Sequence, residues 1–418
     1  MEELWCPPPL FGLHITNFPK FHLEFCQMRP CFKPFHKTYP RITLALTLGF
    51  LFPDPATERL RIIYIVSLLA FCMPLYVFVI LDMSRSWAEG DIFNVIRHST
   101  VVGPTLGAYL KMLLMYRKRK EAKEIMDEMN RDYHIYNSLP SLHQELVHET
   151  IRNCNFYVET VWLLAICTIL VSFPGAACFR TIISYLFDDE PKRYMVHDFN
   201  IMFFDNAKSF QTPYYECLNL YTTITVFVCV FNYVSYDGYF ALAINHACLK
   251  MNIFCQRLED VFHEKQGKGV IVGVKNFIEE QKRLFRFVAL IQDTFDIWLG
   301  AIFGCTMIEI GSLLFHISAG YGFDFKYSLF CLTAVLHIFL PCKYAANLKY
   351  MSHETSTLVY CSGWERCARR RVLRDVQFMI ARAQIPLRIT VLQILDFDME
   401  LFMFLMRTSY SMFTLLRS

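Results

Sequence analysis

Residues 62–81 read IIYIVSLLAFCMPLYVFVIL, twenty positions without a single charge. About 20 such residues in a helix cross the hydrocarbon core of a bilayer. Working outward, six more stretches qualify once isolated polar residues are tolerated: Phe93–Tyr116, Tyr157–Leu186, Pro213–Ala247, Phe287–Ser318, Tyr327–Asn347 and Val391–Leu416. Leu44–Phe52 is too short to cross and reads as an interfacial or re-entrant segment. Composition agrees. Of the 418 residues, 54% are hydrophobic and 19% charged, against about 25% charged in soluble domains. A disordered chain, a collagen-like chain and an ordinary cytosolic enzyme are excluded. The 41 Lys+Arg nearly balance the 38 Asp+Glu, so no basic field exists for nucleic acid. The expected fold is an all-α membrane protein with seven transmembrane helices.

Lys and Arg set its orientation. Seven precede the first span, from Lys20 to Arg61, and seven follow the second, from Arg117 to Arg152. Eight follow the fourth, from Lys250 to Arg286, and nine run from Lys343 to Arg388 around the end of the sixth. The alternate loops hold few: Arg85, then Lys192, Arg193 and Lys208, then Lys326. The N-terminus is therefore expected in the cytoplasm and the C-terminus outside, inverted relative to G-protein-coupled receptors. The opening MEELWCPPPLFGLHITNFPKF lacks a basic start followed by an apolar run, so no cleaved signal peptide is expected. Three regions follow: an N-terminal segment 1–60, six helices over 61–348, and an anchor plus last helix over 349–418. The segments Lys250–Gln281 and Lys349–Arg374 read as inner loops, too short for separate domains.

Catalytic signatures are missing: there is no GxxxxGK[ST], GxGxxG after a strand, HExxH or GxSxG. The 16 Cys are scattered, without metal-ligand spacing. Cys178 and Cys217 fall near the outer ends of spans, and a bridge between them stays open. His143 and His148 read as solvated, and Arg131-Asp132-Tyr133 as a surface helix end. Gly320 and Gly322 read as an outer turn. Glu309 and His337 lie within spans, where a helix-to-helix hydrogen bond outweighs a pathway role. Pro74, Pro104, Pro174 and Pro341 should kink their helices and open space for an apolar small molecule.

The last span is more polar than a lipid-facing helix should be. At 100° per residue, Asp396, Glu400, Arg407, Ser411, Thr414 and Ser418 gather on one side within about 60°. Arg at mid-membrane costs at least about 2.5 kcal/mol against lipid. Two readings stand level: a pore wall shared between subunits, or an interhelical seam in which Arg407 pairs with Glu400 or Asp396.

The final third carries TSTLVY at 355–360, Trp364, RRR at 369–371 and RAQIPL at 382–387. Ile389-Thr390, MELF at 399–402 and SYSMFTLL at 409–416 follow, and TPYYE at 212–216 lies upstream. In this order these motifs resemble the insect odorant receptor family. Related gustatory receptors end in Thr-Tyr, five residues, then Gln-Phe. Ser409-Tyr410 and Leu416-Arg417 stand there instead. The family's co-receptor has a much longer loop after the fourth span, so this chain resembles a ligand-tuned subunit.

The resemblance implies the odorant-binding subunit of a heterotetrameric, ligand-gated, non-selective cation channel. It implies assembly with the odorant co-receptor in the plasma membrane of an olfactory neuron's dendrite, and no cofactor. In that family the last helices of four subunits surround the pore, which places gate positions at Phe413 and at Leu416 or Arg417. Arg407, Ser411 and Thr414 would then line the same helix elsewhere. A cytoplasmic anchor joining subunits is expected around Trp364, Arg382, Gln384 and Pro386. Depth mapping of the family's outer odorant pocket selects Val101, Val102, Phe173, Ala176, Tyr221, Thr222, Tyr327 and Phe330. The rival readings are a seven-helix receptor signalling through G proteins, a gustatory-type channel and a transporter.

Overall fold

The computed structural model describes residues 32–201, 206–264, 268–318, 325–367 and 369–417. The opening stretch with Lys20 and Arg29, the outer turn at Gly320 and Gly322, and Ser418 lie outside the described residues. Ten helices carry the fold. Helix α1 is Pro40–Leu48, α2 Glu58–Ala88, α3 Ile92–Arg117 and α4 Arg119–Tyr136. Helix α5 runs over Ser141–Phe187 through two π-helical turns, Tyr157–Trp162 and Val171–Gly175. Helix α6 is Tyr214–Glu264, α7 Lys268–Ser318, α8 Phe325–Tyr360, α9 Arg370–Ala383 and α10 Met399–Arg417. A minimal antiparallel pair, β1 Thr390–Val391 and β2 Leu395–Asp396, precedes α10.

Helices cover six of the seven predicted spans. The seventh, expected over Val391–Leu416, is helical only from Met399, because its first residues pair as the β1–β2 hairpin, which also places Asp396 before α10 and off its polar stripe. Five are long and apolar enough to cross a membrane: Pro55–Ala88, Ser141–Phe187, Tyr214–His263, Gly269–Ser318 and Phe325–Arg366. Helices α3 and α10 fall short because they carry polar faces, with Arg97, His98 and Lys111 on one and Glu400, Arg407 and Arg417 on the other. Helices α3, α6, α7 and α8 pack against one another, α2 flanks α3, and α10 lies along α7 and α8. Close approach of α7 and α10 depends on Gly311, where a Cβ would sit 3.3 Å from the Ser409 carbonyl oxygen.

The supposed inner loop Lys250–Gln281 is mostly helix. Helices α6 and α7 have 51 residues each, roughly 75 Å at 1.5 Å per residue, far more than a bilayer needs. Their distal halves stay helical because an apolar stripe of Phe254, Leu258, Val261, Val274 and Phe277 forms a second core. Helix α9 closes that core with Val372, Val376 and Met379, one face of an otherwise Arg-rich helix. Trp364 packs at its edge and donates Nε1–H to the Tyr360 carbonyl at 2.9 Å. Arg382 lies over the Phe285 ring, 4.1 Å from its centroid. Gln384 is exposed and Pro386 half-buried.

The short N-terminal segment is a wedge within the bundle. Ile42, Ala45 and Leu46 of α1 are buried, and α1 packs on α6. The buried Glu159 carboxylate, from the first π turn of α5, accepts from the Arg41 and Ile42 N–H groups at 2.8 and 3.0 Å. These are donors that a helix start leaves unpaired.

Two further expectations change. Asp132 and Tyr133 are not a solvated helix end. Tyr133 is buried and its hydroxyl meets that of Tyr39 at 2.9 Å. Asp132 pairs with His246 at 2.8 Å and Lys250 at 2.9 Å. Likewise His143 is buried between Gln256 and Asp260, at 2.9 and 2.8 Å. In both cases the extended α6 supplies the partners, and a loop reading of that region hid them.

Candidate ligand site

Helices α2, α3, α5, α6, α7 and α8 surround a cavity of about 110 Å3. That is of the order that accommodates a benzene-sized molecule. Its walls are apolar: Val101 and Val102 from α3, Ile166, Ile169 and Phe173 from α5, Val226 from α6 and Phe330 from α8. Phe173 and Phe330 meet edge to face at 5.1 Å. Four threonines also face it, but each already donates to its own helix. Thr105 bonds the Val101 carbonyl at 2.8 Å, Thr222 that of Leu218 at 2.9 Å, Thr225 that of Tyr221 at 3.0 Å and Thr333 that of Leu329 at 3.0 Å.

The roof comes from the segment between α5 and α6. Val196, His197 and Phe199 line the cavity, and a chain of polar contacts holds them. His197 Nε2 lies 3.0 Å from His98 Nδ1, and His98 Nε2 lies 3.2 Å from Asp82. Asp82 in turn accepts from the Asn200 backbone at 2.8 Å. Burial, with repulsion from His98, Lys326, Arg97 and His316, keeps His197 well below the usual imidazole range.

Behind the lining residues Tyr233 and His337 lies a buried charge cluster. Lys111 of α3 lies 2.7 Å from Asp237 of α6, and His337 of α8 lies 3.0 Å from the same carboxylate. All three are buried. Lys111 also stands 3.5 Å over the Tyr233 ring, while the Tyr233 hydroxyl donates to the Pro104 carbonyl at 2.9 Å. Gly107 makes room for that hydroxyl: a Cβ there would be 2.7 Å from it and would have to displace it. His337 is therefore a helix-to-helix contact. Glu309, also in the lining, forms no hydrogen bond or ion pair among the described residues.

Of the eight depth-mapped positions, Val101, Val102, Phe173, Thr222 and Phe330 line the cavity. Ala176, Tyr221 and Tyr327 are not in its lining. Tyr221 points to α2, where its hydroxyl donates to the Phe71 carbonyl at 2.5 Å and accepts from the Leu75 N–H at 3.2 Å. It thus stands in the helical rung beside Pro74. Tyr327 packs against His316, ring centroids 3.9 Å apart. Sequence reading missed Leu75, Tyr76 and Val79 of α2, because a uniformly apolar helix has no periodicity to mark an inner face.

On α10, Leu401, Leu405 and Ser409 are buried, and the Ser409 hydroxyl donates to the Met307 carbonyl at 3.1 Å. Arg407, Ser411 and Thr414 are exposed on the single chain, with Arg417; Phe413 and Leu416 are half-buried. The seam reading does not hold as stated. Among the described residues Arg407 has no ion pair, and Asp396 is held by Lys349 at 2.8 Å and Arg388 at 3.2 Å. Cys178 and Cys217 are both free and exposed.

The family model described as 7tm Odorant receptor matches residues 91–410. Odorant receptor 10 of Aedes albopictus is 21% identical over 345 residues, covering 81% of this chain and 88% of that protein. Odorant receptor 13a of Drosophila melanogaster is 24% identical over 216 residues, 47% and 51% of the two chains. Among solved structures, the insect olfactory receptor OR5 from Machilis hrabei in complex with eugenol superposes with a TM-score of 0.73 at 13% identity. That superposition covers 91% of this chain and 97% of that one. The same receptor's structure without eugenol in its description gives a TM-score of 0.71. The family match spans most of the chain and agrees with the all-helical, multi-pass fold: the chain belongs to the insect odorant receptor family.

Proposed function

We propose that this chain is the odorant-binding subunit of a heterotetrameric, ligand-gated, non-selective cation channel, assembled with the odorant co-receptor. Its seven helices cross the plasma membrane of an olfactory neuron's dendrite with the N-terminus inside. The observation that carries this reading is the apolar cavity, bounded on one side by Val196, His197 and Phe199 and on another by Tyr233 and His337. A small, mostly apolar molecule would bind there by burial, at roughly 25 cal/mol per Å2. The related Machilis hrabei receptor, whose structure is described as a complex with eugenol, supports a ligand of that kind. Binding opens the channel only if the ligand prefers the open state.

The exposed face of α10 supports a pore-lining role. Arg407, Ser411 and Thr414 are exposed, with no covering helix among the described residues, so water or neighbouring subunits would meet them. Phe413 lies one turn from its end and Leu416 next to its last residue, Arg417, and these are the gate candidates. The second core around α9, with Trp364 at its edge, is the proposed inter-subunit anchor, together with Arg382, Gln384 and Pro386.

Whole-cell current tests the reading, in cells expressing the chain with and without the co-receptor, against a panel of volatiles and with G-protein signalling blocked. Odorant-evoked cation current only on co-expression is expected. A response abolished by the G-protein block would overturn the channel assignment.

A further inference from the structure

We propose that Glu309 is the polar anchor of the cavity and selects odorants that bring their own positive charge, a small amine on an apolar body; this rests on the odorant-pocket reading above. Glu309 projects from α7 and is only 7% exposed. It is the acidic residue of the lining. Most other polar groups around it are already engaged: the four threonines with their own helices, Tyr233 with Pro104, His337 with Asp237 and His197 with His98. The buried Tyr109 hydroxyl, also in the lining, has no hydrogen-bond partner among the described residues. Lys111 acts on Glu309 from the charge cluster, but it is held 2.7 Å from Asp237.

A buried carboxylate without a donor is costly, and packing gives no reason for one here, since an apolar side chain would fill the same wall. A ligand ammonium would supply both the missing donor and the opposite charge. Tyr76, Tyr109, Phe173 and Phe330 present aromatic surface to the same space, which favours a cation over a neutral guest. An alcohol would supply one donor and no charge. A carboxylic acid would bring like charge into a small apolar space. The preferred order is therefore amine, alcohol, hydrocarbon.

The test uses phenethylamine, phenethyl alcohol and ethylbenzene, three probes with one carbon skeleton, on the chain co-expressed with the co-receptor. Concentration–response currents are measured for the wild type, Glu309→Gln and Glu309→Asp, with surface labelling of each. The wild type is expected to respond to the amine at least tenfold more sensitively than to the alcohol. Glu309→Gln should bring that ratio close to one, and Glu309→Asp should retain a preference. Equal sensitivity in the wild type, or a ratio unchanged in Glu309→Gln, overturns the anchor. If none of the three acts while other volatiles do, the anchor falls and the pocket reading stands. If a broad panel is silent as well, with the chain at the surface, the pocket reading falls with it.

Discussion

The Lys111 ammonium and the Asp237 carboxylate meet at 2.7 Å, both buried, joining α3 to α6 behind the cavity wall. Removing one partner strands the other charge, at a cost of about 3–5 kcal/mol. Lys111→Met and Asp237→Asn alone should each lower surface abundance and melting temperature sharply. The double change Lys111→Met with Asp237→Leu should recover much of the loss. Surface biotinylation decides the matter, and single variants as well tolerated as the double would contradict the pairing.

Tyr221 and Phe173 should behave differently under mutation. The Tyr221 hydroxyl joins the Phe71 and Leu75 backbone across two helices, so Tyr221→Phe should cost about 1 kcal/mol of stability. Odorant sensitivity should move little. Phe173 lines the cavity, and Phe173→Ala should reduce sensitivity about tenfold or more through lost apolar contact. Melting temperature and half-maximal concentration, measured together, separate the two. A large sensitivity shift in Tyr221→Phe would put that residue back in the pocket.

His197 makes the roof sensitive to acid on its own side of the membrane. Burial and neighbouring positive groups depress its folded-state pKa. A depressed group contributes stability above its unfolded value, about 6.5, and loses it as pH falls through the folded value. Stability of the purified protein should therefore be flat above pH ~7 and begin to fall below ~6.5. His197→Gln should flatten that decline. An acid limb of the same slope in the variant would assign the effect to another group.

Phe413 is half-buried near the end of the exposed α10 face. Phe413→Ala should change ion permeation or leak while leaving the rank order of odorants in place. Reversal potentials under bi-ionic conditions provide the measurement. Unchanged permeation with normal surface assembly would remove Phe413 from the gate.

The contact between α4 and α6 adds a stability prediction. Lys250 holds Glu128 at 2.6 Å and Asp132 at 2.9 Å. Burial raises both carboxyls, but Lys250, together with His246 on Asp132 and Arg131 on Glu128, outweighs it and holds them below the usual carboxylate range. Lys250→Met should loosen α4 from α6, read as faster hydrogen exchange across Arg119–Tyr136 than across α9. Equal exchange in both segments would mean that the network is not what fastens α4.

What the sequence by itself determined is the membrane class, the apolar cores of the helices, though not their ends, and the family. Apolar runs such as Ile62–Leu81 and the charge placement around them are local properties, and SYSMFTLL is a string that needs no fold to be read. The amphipathic face of α10 was legible for the same reason: 3.6-residue periodicity survives in a polar helix. Contacts between distant residues were decided only by the tertiary structure. Tyr221 was placed in the cavity by depth alone, yet its rotation on α6 turns it toward Phe71 on α2. Asp132 and His143 read as solvated until α6, continuing past the bilayer, brought His246, Lys250, Gln256 and Asp260 beside them. In a chain rich in apolar residues, helices are specified by hydrophobicity, which has no direction. Which face turns inward is settled by the few polar groups that must find partners, and those partners lie more than a hundred residues away.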